Sequence, residues 1–183
     1  MTRSNVWVFA YGSLLWDPGF VPAQVRPATL TGYCRSFCMW SVHHRGTPER
    51  PGLVLALDQK EGAACQGQAM RIADEETETV LAALRRRELV SSAYIETKVH
   101  IEVQEYGFLE AITYIVDRHH RQYCQIRQDQ QARIIATASG GRGHNREYLE
   151  KTVNRLRYLG IGDPGLETLC DEVQRFHAAT DRK

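Results

Sequence analysis

The sequence predicts an α+β fold, and three observations carry that prediction. The first is texture: from about residue 5 to about 116 the chain is built of short β-like apolar runs, and beyond that it turns to helical periodicity. The second is composition, since 183 residues with 43% hydrophobic and 25% charged side chains suit one soluble, well-buried domain spanning 1–183. The third is punctuation. Gly, Asn and Asp stand between the runs, without internal repeats or low-complexity linkers.

Taken in order, NVWVFAY opens as a buried strand, followed by TLTGYCRSFCMW, GLVLAL and ACQGQAMRI as further strands. A helix comes next. Asp74 suits its N-cap, Glu75 and Glu76 its first turn, and Val80, Leu81, Leu84 and Leu89 its apolar stripe. YIETKVHIEV and GFLEAITYIV then read as a hairpin turning at Glu105-Tyr106-Gly107. Ala132, Ile134, Ile135 and Ala138 mark a helix that stops at Ser139-Gly140-Gly141, which reads as a connection to the next helix. Asn145 suits the N-cap of that helix, whose Tyr148, Leu149, Val153, Leu156 and Leu159 recur at helical spacing up to Gly160. A last helix runs from about Pro164 to His177.

Charge and motif content narrow the function. The 23 basic and 22 acidic residues leave a net charge of +1, too weak a field to draw in nucleic acid or an anionic membrane. No apolar run approaches the ~18 residues of a membrane span, and Tyr11, Gly12 and Ser13 interrupt the N-terminal run, so a cytoplasmic protein is expected. Five cysteines without a CxxC pair argue against a disulfide framework and a thiolate zinc site. His43-His44 and His119-His120 lack acidic or cysteine partners at ligand spacing, and read as loop histidines with no metal.

One interruption calls for a physical reason. In WVFAYGSLLW a glycine and a serine follow an apolar strand, and such a turn either ends the strand or lets successive amides converge on an anion such as a carboxylate. Glu88, in LRRREL, is likewise ambiguous: a glutamate after three arginines reads as part of a solvated salt-bridge network, although Arg85, Arg86 and Arg87 point about 100° apart on a helix.

WVFAYGSLLWDPGF, LTGYCRSF, HRGTPERPGLVLAL, GQAMRI, LRRREL and SGGRGHNREYL together resemble, in family order and over nearly the whole chain, the ChaC family of γ-glutamylcyclotransferases. The resemblance implies a mixed β-barrel with surrounding helices, no metal, no organic cofactor, and cleavage of glutathione to 5-oxoproline and cysteinylglycine. It assigns Tyr11, Gly12, Ser13 and Leu14 to the loop that holds the γ-glutamyl group, and Glu88 to proton transfer. Arg35, in YCRSF, and Arg45, in HRG, fall in matched segments where a cation would suit the glycyl carboxylate. Where the family often has a Gly-Gly-Tyr segment after the glutamate, this chain has Leu89-Val90-Ser91-Ser92-Ala93-Tyr94. Two alternatives share these residues: a non-catalytic γ-glutamyl-binding regulator on the same fold, and a cyclotransferase preferring other γ-glutamyl compounds.

Overall fold

Strand β1, Trp7–Ala10, is buried along its whole length, which is why it reads as continuous apolar sequence instead of an alternating pattern. The computed structural model describes residues 5–180 and divides into two compact units. The first joins the stretch ending at Ser36 to Ala56–His120; the second joins Phe37–Leu55 to the stretch beginning at Arg121. Two long strands, β2 (Gln24–Ser41) and β3 (Gly52–Arg71), contribute to both.

The first unit carries the closed barrel, with order β1-β3-β2-β4-β5 and an additional β3–β5 pairing. β4 (Tyr94–Val103) and β5 (Gly107–Val116) form the expected antiparallel hairpin, in register from Tyr94 opposite Val116 to Val103 opposite Gly107. Its turn is tight. Glu105 and Gly107 take φ of 71° and 73°, and the Tyr106 amide donates to Val103 O at 3.1 Å. Along β4, Val99, Ile101 and Val103 point into the core while Lys98, His100 and Glu102 are exposed, the period of two that places one strand face inward. β1 runs antiparallel to β3 and parallel to β5, so the barrel is mixed. Trp7, Phe9, Leu30, Leu57, Ile101 and Ala111 meet in its interior.

Three local expectations about the chain up to Leu89 are corrected. GLVLAL and ACQGQAMRI are one strand, β3, whose exposed polar middle continues through Gly62 at φ 73°. Asp74 does not cap helix α1 (Thr77–Glu88) by its side chain; it lies in a preceding 3₁₀ turn, Asp74–Glu76, and its carboxylate accepts from Arg71 at 3.0 Å. Leu89 lies beyond the helix as its C-cap and is only half-buried, leaving Val80, Leu81 and Leu84 as the apolar stripe.

The second unit is mostly helical. Helix α2 (Gln128–Thr137) packs on α3 (Asn145–Tyr158) and α4 (Pro164–Thr180) through Ile135, Leu149, Val153, Leu156, Leu169 and Val173, all buried. The α2–α3 connection contains a small hairpin, β6 (Ser139–Gly140) with β7 (Gly143–His144). Asn145 departs from its expected capping role: His144 is the N-cap, and the Asn145 side chain pairs instead with the main chain of Leu53, accepting from its N–H and donating to its carbonyl at 2.7 Å each. A fully buried amide must satisfy both ends, and Leu53 supplies both partners. Backbones close in around it. A Cβ on Gly52 would stand 2.2 Å from Arg45 O, one on Gly46 2.0 Å from Gly52 N, and one on Gly140 2.5 Å from Gly46 N. Among the described residues no helix is long and apolar enough to cross a membrane, and none of the five cysteines forms a disulfide.

Candidate active site

The loop after β1 is held by its neighbours in the first unit. Tyr11 is buried, its hydroxyl donating to Tyr114 O at 2.9 Å. Its own carbonyl accepts from Arg35 Nε at 2.6 Å, while Arg35 Nη2 donates to Gln66 O at 2.5 Å. Arg35 therefore spends its fork on main-chain carbonyls. Behind the loop, a Cβ on Gly67 would lie 2.3 Å from Ala10 O, so glycine is what lets β3 close on the end of β1.

Beyond Gly12 the chain makes a 3₁₀ turn, Ser13–Leu15. Its internal bonds run from Leu15 N–H to Gly12 O at 2.9 Å, and from Trp16 and Asp17 N–H to Ser13 O at 3.1 and 2.8 Å. Leu14 and Leu15 are buried and pin the turn. The first N–H groups of any helical turn have no acceptor within it, and here they belong to Gly12, Ser13 and Leu14.

Helix α1 brings Glu88 to the same corner as its last residue. The three arginines before it diverge. Arg85 makes a forked pair with Glu96, Nε to Oε2 at 2.9 Å and Nη2 to Oε1 at 2.8 Å, and Arg86 is exposed. Arg87 turns to the loop: Nη1 donates to Asp17 O at 2.7 Å, Nη2 donates to Ser13 Oγ at 3.1 Å, and Nε lies 3.1 Å from Glu88 Oε1. The Arg87 and Glu88 side chains are only 16% and 15% exposed, and that Glu88 oxygen is fully screened from solvent.

A second polar chain stands beside it. The Tyr114 hydroxyl donates to Glu96 Oε2 at 3.3 Å, and burial first, then the charges of Glu96 and Glu88, push the phenol well above its ordinary range. Glu96 is held below the usual glutamate range, chiefly by its hydrogen bonds from Arg85. Tyr114 thus stays a neutral donor within the field of both carboxylates.

The structure accordingly brings together Tyr11, Gly12, Ser13, Leu14, Arg35 and Glu88 in one unit. Arg45 belongs to the other. It is buried there, donating from Nη1 to Arg142 O at 2.5 Å and His144 O at 3.3 Å and stacking 5.5 Å from the Tyr148 ring centre, and burial lowers its pKa. In the sequence Arg87 is one of three competing cations, set apart only by its place next to Glu88. Nothing in the sequence marks Tyr114 as the partner of Glu96; β-pairing sets Glu96 opposite Tyr114.

The family model described as ChaC-like protein matches residues 6–176. The chain belongs to the ChaC-like family. Among ChaC-like relatives, the glutathione-specific γ-glutamylcyclotransferase of Escherichia coli K12 is 36% identical over 174 residues, covering 94% of this chain and 74% of that protein. Its namesake in Schizosaccharomyces pombe is 33% identical over 173 residues, covering 86% and 85%. The crystal structure of a yeast γ-glutamyl cyclotransferase specific to glutathione superposes with a TM-score of 0.85 at 24% identity, covering 94% of this chain and 97% of that one. The barrel and its helices therefore share the γ-glutamylcyclotransferase fold.

Proposed function

We infer that this protein is a γ-glutamylcyclotransferase that degrades glutathione. Curated ChaC-like relatives in a bacterium and a yeast carry that activity in their names and match most of the chain. The observation that carries the reading at the site is the joining of Glu88 to the Tyr11–Leu14 loop through one guanidinium.

The reaction needs little machinery. The substrate's α-amine lies a five-membered ring away from its own γ-carbonyl, so the site has to hold the attacking conformer, a gain that reaches effective molarities of ~10⁵ M or more. The new bond joins the amine nitrogen to the γ-carbon; the bond that breaks joins that carbon to the cysteinyl nitrogen. The ammonium gives up two protons on becoming the lactam N–H, and the departing amide N–H gains two on becoming an ammonium, so atoms and charge balance without water. Glu88 is the group that takes a proton from the amine and returns one to the leaving nitrogen, worth about 10²–10⁴-fold. The α-carboxylate sits on the amides of Gly12, Ser13 and Leu14. No residue supplies a covalent nucleophile. Tyr11 and Arg35 act one step back, fixing the loop through Tyr114 O and the Tyr11 carbonyl.

The substrate assignment is tested by offering purified protein glutathione, γ-glutamylalanine and a γ-glutamylamine in parallel and following 5-oxoproline by mass spectrometry. Glutathione is expected to give the highest kcat/KM, with cysteinylglycine appearing in equal amount. A higher value for either alternative would reassign the substrate, and no 5-oxoproline from any of them would overturn the enzyme reading.

A further inference from the structure

Arg87 uses three different nitrogens: Nε lies beside its helix neighbour Glu88, while Nη2 and Nη1 donate to the Ser13 hydroxyl and the Asp17 carbonyl of one turn. Arg85 resembles it in sequence but not in placement, being 47% exposed and spending both nitrogens on Glu96. Gly19 turns at φ 77° beside the Arg87 fork, where a Cβ would lie 3.5 Å from Arg87 Nη1.

Building on the cyclotransferase reading, we propose that Arg87 is a positioning residue that couples the proton-transferring carboxylate of Glu88 to the loop that anchors the substrate. The physical reason lies in the shape of guanidinium. A planar fork with donors in fixed directions sets the distance between what it holds, whereas an ammonium is a single rotatable point charge. Glu88 is the terminal residue of its helix and Ser13 the first residue of a three-residue 3₁₀ turn; neither position alone fixes a carboxylate to within a fraction of an ångström. The fork donates to the loop at Asp17 O and Ser13 Oγ, and its Nε lies 3.1 Å from Glu88 Oε1 as an ion pair, so the charge that faces the carboxylate is placed by the loop. The amides of Gly12, Ser13 and Leu14 depend on Arg87 less. The 3₁₀ turn is closed by its own bonds from Leu15, Trp16 and Asp17, so anchoring survives loss of the arginine better than alignment does.

The expected effect therefore falls on kcat. Misplacement by about 1 Å costs on the order of 10²-fold. Arg87→Met and Arg87→Lys are both expected to lower kcat by roughly that factor, with KM for glutathione within about threefold of wild type. Arg86→Met, removing an exposed charge one residue away, is the control for loss of helix charge and is expected to leave kinetics unchanged.

Three kinetic results would overturn the proposal: unchanged kcat in Arg87→Met, a loss carried wholly by KM, which would make Arg87 a direct substrate ligand, or full activity in Arg87→Lys, which would show that charge without the fork suffices. Amide hydrogen exchange at Leu15, Trp16 and Asp17 reads the coupling without reference to turnover. Exchange in Arg87→Met is expected to quicken about tenfold, the loss of roughly one charge-assisted hydrogen bond, and to stay unchanged in Arg86→Met. Wild-type protein inert toward every γ-glutamyl compound would refute the function, while unchanged exchange in a folded Arg87→Met protein would refute the coupling. If Arg87→Met does not fold, Arg87→Lys carries both measurements.

Discussion

Two arginine-bearing regions carry the sequence resemblance, and they use their residues in opposite ways. In the second unit, HRGTPERPG and SGGRGHN form a lock: Arg45 donates to two carbonyls of the β6–β7 hairpin region, Asn145 spends both ends of its amide on Leu53, and Gly46, Gly52 and Gly140 let backbones touch. In the first, Arg87 gathers a hydroxyl, a carbonyl and a carboxylate around a loop whose leading amides lie outside the turn's own hydrogen bonds. The lock in the second unit consumes its polar groups to hold shape, whereas the Arg87 cluster in the first unit gathers them around the loop. A shared motif is therefore no guide by itself to whether a residue does chemistry or packing.

The comparison can be broken from the packing side with the largest effects on stability. Gly52→Ala puts a Cβ 2.2 Å from Arg45 O, a backbone atom, and is expected to cost about 4 kcal/mol or more in denaturant unfolding, or to prevent folding. Asn145→Ala leaves two main-chain groups of Leu53 without their partners and should cost about 2–5 kcal/mol by the same measurement. If instead it lowers kcat by 10² or more with stability unchanged, the division between the two regions fails.

Smaller effects sharpen the division inside the first unit. Tyr114→Phe removes the hydroxyl bonded to Glu96 while keeping the main-chain carbonyl that receives Tyr11, and should cost about 1 kcal/mol of stability. Glu96 gives a pH signature. Its carboxyl is held below the ordinary glutamate value of 4.5 by Arg85, so its contribution is fully present above that value and is lost as pH falls through the lower folded value. The stability difference between wild type and Glu96→Gln should therefore be largest near neutrality and shrink between about pH 4.5 and more acid conditions. Because both partners are partly exposed, the difference should stay below about 1 kcal/mol.

Much of this was legible beforehand, for identifiable reasons. The β4–β5 hairpin follows from period-two alternation and a Gly-bearing turn, and the helices after residue 127 follow from their stripes and Gly160. Joining GLVLAL to ACQGQAMRI was not legible. Main-chain pairing sustains β3 through a polar, exposed middle that side-chain periodicity cannot register. Asn145 misled because a residue with the chemistry of a cap was claimed by a strand 92 positions away. At the candidate site, the loop and Glu88 are legible through resemblance, whereas Arg87's contacts with Ser13 and Asp17 and the Tyr114–Glu96 pair depend on long-range register that one sequence does not display.

The central claim is that Glu88, presented to the Tyr11–Leu14 loop, moves the protons of an intramolecular aminolysis. The most direct measurement compares wild type with Glu88→Gln at millimolar glutathione, following 5-oxoproline and cysteinylglycine by mass spectrometry, with circular dichroism and thermal melting confirming that both are folded. The expected result is equimolar product from wild type and a kcat at least about 10²-fold lower in a Glu88→Gln protein that melts within a few degrees of it. A folded Glu88→Gln protein turning glutathione over at the wild-type rate would contradict the account.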